Sequence, residues 1–257
     1  MYPSSQVWHY TNAAFAVRPL CEEALAIGRS LADPLLAADA LHRLGHLCED
    51  ENDLDQALSL FDQSTALYRE VGDQWGLTRP LLDLGRLLSR RGDQATARSL
   101  LEESRRIARE QGDSWFAALV LWTLGHVAVA VSDAAGAGSL FSEVLAQGQS
   151  TGERLLVLAS LEGLARVSGL RGRWQEAARL LSAAESLRDA ADIARNLPGQ
   201  SGVRADTLTA VRAAVGDELF AAAWAEGRAL PPDQAIAIAL KQVEGQVSQG
   251  LCIVRYL

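Results

Sequence analysis

The feature that most constrains this chain is a repeat of 40 residues that runs through four copies with no insertion or deletion. Leu44-Gly45, Leu84-Gly85, Leu124-Gly125 and Leu164-Ala165 share one register. Ala57, Ala97, Ala137 and Ala177 share a second, each followed by a leucine (Leu60, Leu100, Leu140, Leu180) and then a bulky apolar residue (Phe61, Leu101, Phe141, Leu181). A fixed period of this length marks a stacked array, in which each repeat buries its apolar face against its neighbours. Each copy reads as two helices. Gly72-Asp73, Gly112-Asp113 and Gly152-Glu153 close one repeat and open the next, while Asn52-Asp53, Gly92-Asp93 and Gly172-Arg173 mark the turn inside a repeat. Glycine accepts the left-handed conformation just past a helix end, and aspartate caps the helix that follows. The spacing therefore predicts first helices over 34–50, 74–90, 114–131 and 154–170. Their partners fall over 54–71, 94–111, 134–150 and 174–190. A half repeat at 13–31 aligns as a second helix without its first, and Asp33-Pro34 opens the array proper, with proline where a missing N–H costs little.

The distribution of small and large residues fits a tetratricopeptide repeat. Gly45, Gly85, Gly125, Ala165 and the four alanines sit where two helices cross closely, and leucines with Phe61 or Phe141 fill the hollow beside them. The period exceeds the usual ~34 residues and would also suit HEAT or armadillo repeats. Longer helices account for the difference. The expected fold is all-α: a right-handed α-α superhelix of tetratricopeptide-like 40-residue repeats with a helical cap at the C-terminal end. Two weak points stand out. Pro80 lies inside a first helix, where it removes a hydrogen bond and is expected to kink or shorten it. The second helix of the third repeat carries Gly136, Gly138 and Gly148 and is expected to be the softest of the array.

Beyond residue 190 the register ends. Residues 196–204 read as a loop, and three helices outside the repeat are expected near 205–215, 217–228 and 232–245. The organisation is thus an extension over 1–12, repeats over 13–190, capping helices over 191–247 and a tail over 248–257. The wording of 178–190 (ARLLSAAESLRDA) and 211–240, above all the run GDELFAAAWAEGR at 216–228, resembles one bacterial family. It is similar to the tetratricopeptide sensor regions of large ATP-binding regulators of the LuxR/MalT-like and AfsR-like kind, some of which are fused to cyclase domains. The resemblance spans 13–241. It implies a sensor module that works beside a nucleotide-binding module and, in some members, a helix-turn-helix DNA-binding domain. This sequence departs from the full form: it has no GxxxxGK[ST] phosphate loop, and the stretch after Lys241 is too short to read DNA.

Composition narrows the function. With 24 Lys+Arg against 32 Asp+Glu and a net charge of −8, the chain lacks the electrostatic footprint of a nucleic-acid binder. Cys21, Cys48 and Cys252 are odd in number and far apart, which suits a reducing cytoplasm and not a disulfide framework. No signal peptide is read at the N-terminus, and the most apolar stretch, 116–131, is too short to span a membrane.

Candidate chemistry is sparse. His42 and His46 lie four residues apart on one helical face, so a metal reading arises. The stretch HRLGH lacks the glutamate of the zinc-protease HExxH motif, however, and groove histidines are the simpler reading. Cys21 and Cys48 read as core residues, and Glu22-Glu23 and Glu102-Glu103 as solvated faces. No catalytic residue, metal ligand or cofactor is assigned, and the chain is not read as an enzyme. In tetratricopeptide arrays one face of each first helix lines a concave groove, and the resemblance places a row of residues there. The position after the Leu-Gly pair reads His46, Arg86, His126, Arg166. One turn earlier come His42, Leu82, Trp122 and Glu162, and one further back Asp39, Arg79, Leu119 and Ala159. With Arg90, these imply a groove that is basic in the first two repeats (His42, His46, Arg79, Arg86, Arg90) and continues over Leu119, Trp122, Val129, His126 and Arg166. Trp122 reads equally as groove floor or as packing between repeats, and Trp75 and Trp115 read as structural. The expected partner is a protein or peptide carrying acidic and apolar groups, an ATPase or DNA-binding module of a regulator among the candidates. A small-molecule inducer sensor and a stand-alone scaffold are the alternatives.

Overall fold

The computed structural model describes residues 14–190, 200–231 and 233–240. The expected extension over 1–12, the tail over 248–257, the start of the 196–204 loop and the end of the last capping helix lie outside these residues. Eleven helices follow in order: α1 (Ala14–Ser30), α2 (Pro34–Asp50), α3 (Leu54–Val71), α4 (Gln74–Arg90), α5 (Gln94–Glu110), α6 (Ser114–Ala130), α7 (Ala134–Thr151), α8 (Arg154–Leu170), α9 (Trp174–Ala190), α10 (Gln200–Val215) and α11 (Asp217–Arg228). Residues 233–240 are helical as well. The described residues contain no strand and are all-α as expected, and the repeat helices agree with the sequence spacing to within a residue. The cap differs. The stretch expected as a loop is already helical from Gln200, five residues ahead of the expected start at 205.

The 40-residue repeat is built from two near-identical halves, because each connection has the same chemistry. Asp33, Asp53, Asp73, Asp93, Asp113 and Asp133 each cap a helix, their side chains accepting the backbone N–H near the third helical position. A cap of this kind contributes about 0.5–2 kcal/mol. Glu153, one methylene longer, makes no such bond. The residue before each cap has positive φ. It is glycine at 72, 92, 112, 152 and 172, whereas Ala32 (51°), Asn52 (62°) and Ser132 (58°) take the same conformation with a side chain present. Seventeen or eighteen helical residues and a short left-handed turn thus recur every half repeat.

The described residues form two compact units, divided between Gly112 and Asp113. In the N-terminal unit α1 packs on α2, α2 on α3, α3 on α4 and α4 on α5. Tyr68, Leu77, Leu81 and Ile107 meet in one core, and Cys48, Ala57, Phe61, Leu84 and Leu87 in another. Pro80 does not end or shorten its helix. Leu77 and Leu81 on either side of it are buried, and the Ser104 hydroxyl donates to the Thr78 carbonyl at 2.8 Å, so packing offsets the one bond that proline removes. In the C-terminal unit α6 packs on α7 and α8, α8 on α9, and α9 on α10 and α11. The approach of α11 to α9 is close: a Cβ at Gly227 would lie 2.3 Å from the Arg179 carbonyl oxygen.

The glycines of α7 are not all alike. Gly148 is held by close contact, since a Cβ there would sit 3.0 Å from Leu156 and Val157. Gly136 occupies the capped position that Gln56, Thr96 and Phe116 fill elsewhere, so no general feature of the turn demands glycine. Each glycine lowers helix propensity by up to ~1 kcal/mol relative to alanine. Amides of α7 are therefore expected to exchange with solvent faster than those of α3, α5 and α9. Equal protection across these second helices in a hydrogen-exchange experiment would refute this.

Candidate functional site

The candidate residues fall into two clusters, one in each unit. In the N-terminal unit, the 3.6-residue period of α2 puts His42 and His46 on one side, with Gly45 beside them pressed against Phe61. The two imidazoles meet edge to face with centroids 4.6 Å apart, and each also contacts the Phe61 ring, at 5.4 and 5.1 Å. Across from them, α4 supplies Asp83. His42 Nε2 lies 2.9 Å and His46 Nε2 3.2 Å from the same atom, Asp83 Oδ2. The other carboxylate oxygen, Oδ1, accepts from Arg86 Nη2 at 3.0 Å. Arg86 is in turn gripped by both oxygens of Glu49, and Arg90 reaches Glu49 Oε1 at 3.3 Å.

Burial opposes the charge on Asp83. The two imidazoles and the Arg86 guanidinium outweigh it and hold the carboxyl well below its usual range. The histidines respond in opposite directions. Burial lowers the His42 pKa in spite of its bond to Asp83, whereas at His46 the Asp83 charge prevails over burial and raises it. Burial likewise opposes the charge on Arg86, but Glu49 and Asp83 prevail and raise its pKa further. The row that reads as basic in sequence is therefore compensated from within. Glu49 and Asp83 were absent from the expected site, and their signal was available: Glu49 is three residues from His46, and Asp83 three from Arg86, so each shares a helix face with its neighbour. Among the described residues Arg79 makes no ion pair in the cluster, but its charge disfavours protonation of His42, and its guanidinium lies 4.4 Å from the centre of the Trp75 ring. That ring is 41% exposed, so the structural role expected of Trp75 does not come from burial.

In the C-terminal unit, Leu119, Trp122 and Val129 are 4, 3 and 7% exposed and pack inside the unit. The Trp122 indole N–H donates to the Ala159 carbonyl at 3.2 Å, which ties α6 to α8. Of the two readings open for this tryptophan, packing between successive first helices matches its burial. His126 stands edge-on to Trp122 and to Phe141, with centroids 4.3 and 5.0 Å away. Its Nδ1 lies 2.6 Å from Arg166 Nη1. Guanidinium only donates, so Nδ1 accepts and the ring proton sits on Nε2. That nitrogen is buried and has no hydrogen-bond partner among the described residues. Burial, with Arg166 adding to it, pushes the His126 pKa well below its usual value. Burial also lowers that of Arg166, against a weaker attraction from Asp206. The equivalent of Trp122 in the next repeat, Glu162, is buried and paired with Arg188 at 3.1 Å.

One position recurs in both units. Between Ala117 and Val129 on α6 only His126 escapes full burial, and between Leu156 and Gly169 on α8 only Arg166 does. On α2 and α4 the same repeat position holds His46 and Arg86, also half-buried. Among the described residues, His42, His46 and Asp83 form a group able to hold a metal ion, with ligand atoms all within 4.8 Å of one another. A depression of about 510 Å³ in the N-terminal unit lies elsewhere, between the α1–α2 turn and α3. No described helix is long and apolar enough to cross a membrane.

Residues 36–110 match the tetratricopeptide repeat family. Among curated sequences, the chain is similar to proteins of Mycobacterium tuberculosis and Mycobacterium bovis named as HTH-type transcriptional regulators, with 45% identity over 80 residues. That stretch is 31% of this chain and 9% of the relatives, so the chain matches only a small part of their length. Among solved structures, BtubC (BKLC) from P. vanneervenii is similar over 93% of both chains, with a TM-score of 0.61 and 17% identity. Repeats of a Podosopora anserina protein named as a kinesin light chain superpose over 70% of this chain and 88% of theirs, with a TM-score of 0.57 and 20% identity. These likenesses establish a tetratricopeptide-like helical repeat fold, an architecture that presents extended surfaces to partners.

Proposed function

We propose that this chain is a non-catalytic interaction module that receives an acidic segment of a partner protein on the half-buried first-helix positions of its C-terminal unit, with Arg166 as the main anchor. One observation carries the reading. Arg166 holds a half-buried guanidinium whose hydrogen-bonded neighbour is a neutral imidazole, and no carboxylate lies within ion-pair distance among the described residues. A desolvated charge that only the weak attraction of Asp206 offsets is costly. A carboxylate arriving from outside would make the bidentate pair that Glu49 already provides for Arg86.

The finer reading is a sensor region of a bacterial regulator of the LuxR/MalT-like or AfsR-like kind, whose partner is an ATPase or DNA-binding module. The match to regulators named as HTH-type supports it over 80 residues. The small-molecule alternative, an inducer held around Trp122 and His126, is weaker, because Trp122 is buried with its N–H satisfied. The test is quantitative capture by immobilised wild type and Arg166→Leu, matched for helicity and melting, from cells of the native organism. Loss of a specific protein from the variant is expected, with cross-links from that protein mapping to α6 and α8. Recovery of the same proteins in the same amounts would overturn the reading.

A further inference from the structure

We infer that His42, His46 and Asp83 form a binding site for a divalent late first-row metal ion, of the Zn²⁺ type, bridging the first helices of two consecutive repeats.

The geometry is that of a chelate. His42 and His46 are one turn apart on α2 and converge with their Nε2 atoms on one oxygen of Asp83, from α4, at 2.9 and 3.2 Å. Around an ion with metal–ligand bonds of ~2.0–2.1 Å, tetrahedral ligand atoms stand roughly 3.3–3.4 Å apart. Each histidine–carboxylate pair therefore needs to open by only a few tenths of an ångström to admit one. All three ligand atoms already fall within 4.8 Å of one another.

The surroundings suit a cation better than Arg86 first suggests. Arg86 binds Oδ1 of Asp83 and leaves Oδ2 for the ion, which is how a group behind a ligand fixes its orientation. Its own charge is met by the carboxylate of Glu49. Two neutral imidazoles and one carboxylate form a donor set that selects Zn²⁺, Co²⁺, Ni²⁺ or Cu²⁺ over the oxygen-seeking Mg²⁺ and Ca²⁺. The side chains of His42 and His46 are 13 and 26% exposed, so the site opens toward solvent and keeps a coordination position for water or a partner's side chain. In the absence of metal the same convergence requires both imidazoles to donate to a single oxygen that Arg86 is helping to neutralise. One ion replaces both of those bonds. The sequence shows the histidine pair, but the third ligand lies on another helix, 37 residues beyond His46.

The experiment uses the full chain stripped with chelator and titrated with Co²⁺, followed by its visible absorption, and with Zn²⁺ in competition with a chromophoric chelator. Wild type is expected to bind one equivalent at micromolar or lower concentration. His42→Gln and Asp83→Asn are each expected to weaken binding at least about 100-fold, since even groups behind the ligands are worth 10–100-fold. His126→Gln, which removes a histidine of the other unit, is expected to bind as wild type does. Circular dichroism of each metal-free variant verifies that it is folded, and Asp83→Asn keeps the size of the side chain. The inference is overturned if folded His42→Gln or Asp83→Asn binds like wild type, if His126→Gln loses binding to the same extent, or if wild type binds only at millimolar metal. The last result would leave the three residues as a hydrogen-bonded network alone.

Discussion

Truncation of Phe141 to alanine is expected to destabilise the C-terminal unit by about 3–5 kcal/mol, the usual cost of deleting a buried aromatic ring. The ring is fully buried and fills a slot made for it by two glycines. A Cβ at Gly125, on α6, would lie 2.6 Å from the ring, and one at Gly163, on α8, would lie equally close. These glycines let the ring lie directly against two helix backbones. Backbone cannot swing inward to fill the space left behind, so the cavity should persist and the cost should fall at the upper end of the range. Phe141→Leu should cost much less, since Leu101 and Leu181 occupy the same repeat position in the neighbouring copies. Because the chain has two compact units, the effect is best read from the slowest-exchanging amides of α6, α7 and α8 and not from one global transition. A loss below about 1 kcal/mol for Phe141→Ala would mean that the glycines do not define the slot.

That slot also shows how much of the fold was legible in the sequence. The Leu-Gly register identified Gly125, because it repeats at 45 and 85. Gly163 has no such counterpart: Arg43, Asp83 and Thr123 occupy its position in the other copies. Its role follows from the shape of a phenylalanine one repeat earlier, which periodicity cannot reveal. The helix ends were legible for a local reason, since an aspartate cap and a left-handed residue act within a few positions of each other. The start of α10 was not, because a Gly-Gln-Ser-Gly stretch favours turns by itself and the helix is stabilised by packing on α8 and α9. The site divides in the same way. Which residues share a face is a matter of helical period, so His46, Arg86, His126 and Arg166 could be aligned from sequence. Which of them is met by a carboxylate at ion-pair distance depends on the facing helix. Glu49 satisfies Arg86, whereas the residue in the matching place on α6, Val129, can do nothing for Arg166.

Lowering the pH below about 6.5 is expected to weaken the C-terminal unit through His126, and His126→Gln should remove that sensitivity. In the unfolded chain this histidine titrates near its ordinary value of about 6.5. In the folded unit, burial and then Arg166 push its pKa well below that, so the native ring stays neutral. The unfolded state therefore binds the extra proton. Stability from this group is complete above about pH 6.5 and declines as pH falls, by up to about 1.4 kcal/mol per pH unit until the folded pKa is reached. The groups described around the ring are Trp122, Phe141 and Arg166, so no carboxylate among these neighbours is placed to rescue the imidazolium. His42 and His46 titrate in the other unit with shifts of opposite sign, and subtracting the His126→Gln profile from the wild-type profile cancels both. Denaturation of α6–α8 followed between pH 7.5 and 5.5 supplies the comparison, with the imidazole proton resonances reporting the folded pKa directly. Parallel profiles for wild type and variant would show that His126 takes up its proton without cost. A divergent pair sets up a sharper expectation: a carboxylate docked on Arg166 would cancel the charge that disfavours protonation, so the bound module should lose part of its sensitivity to acid.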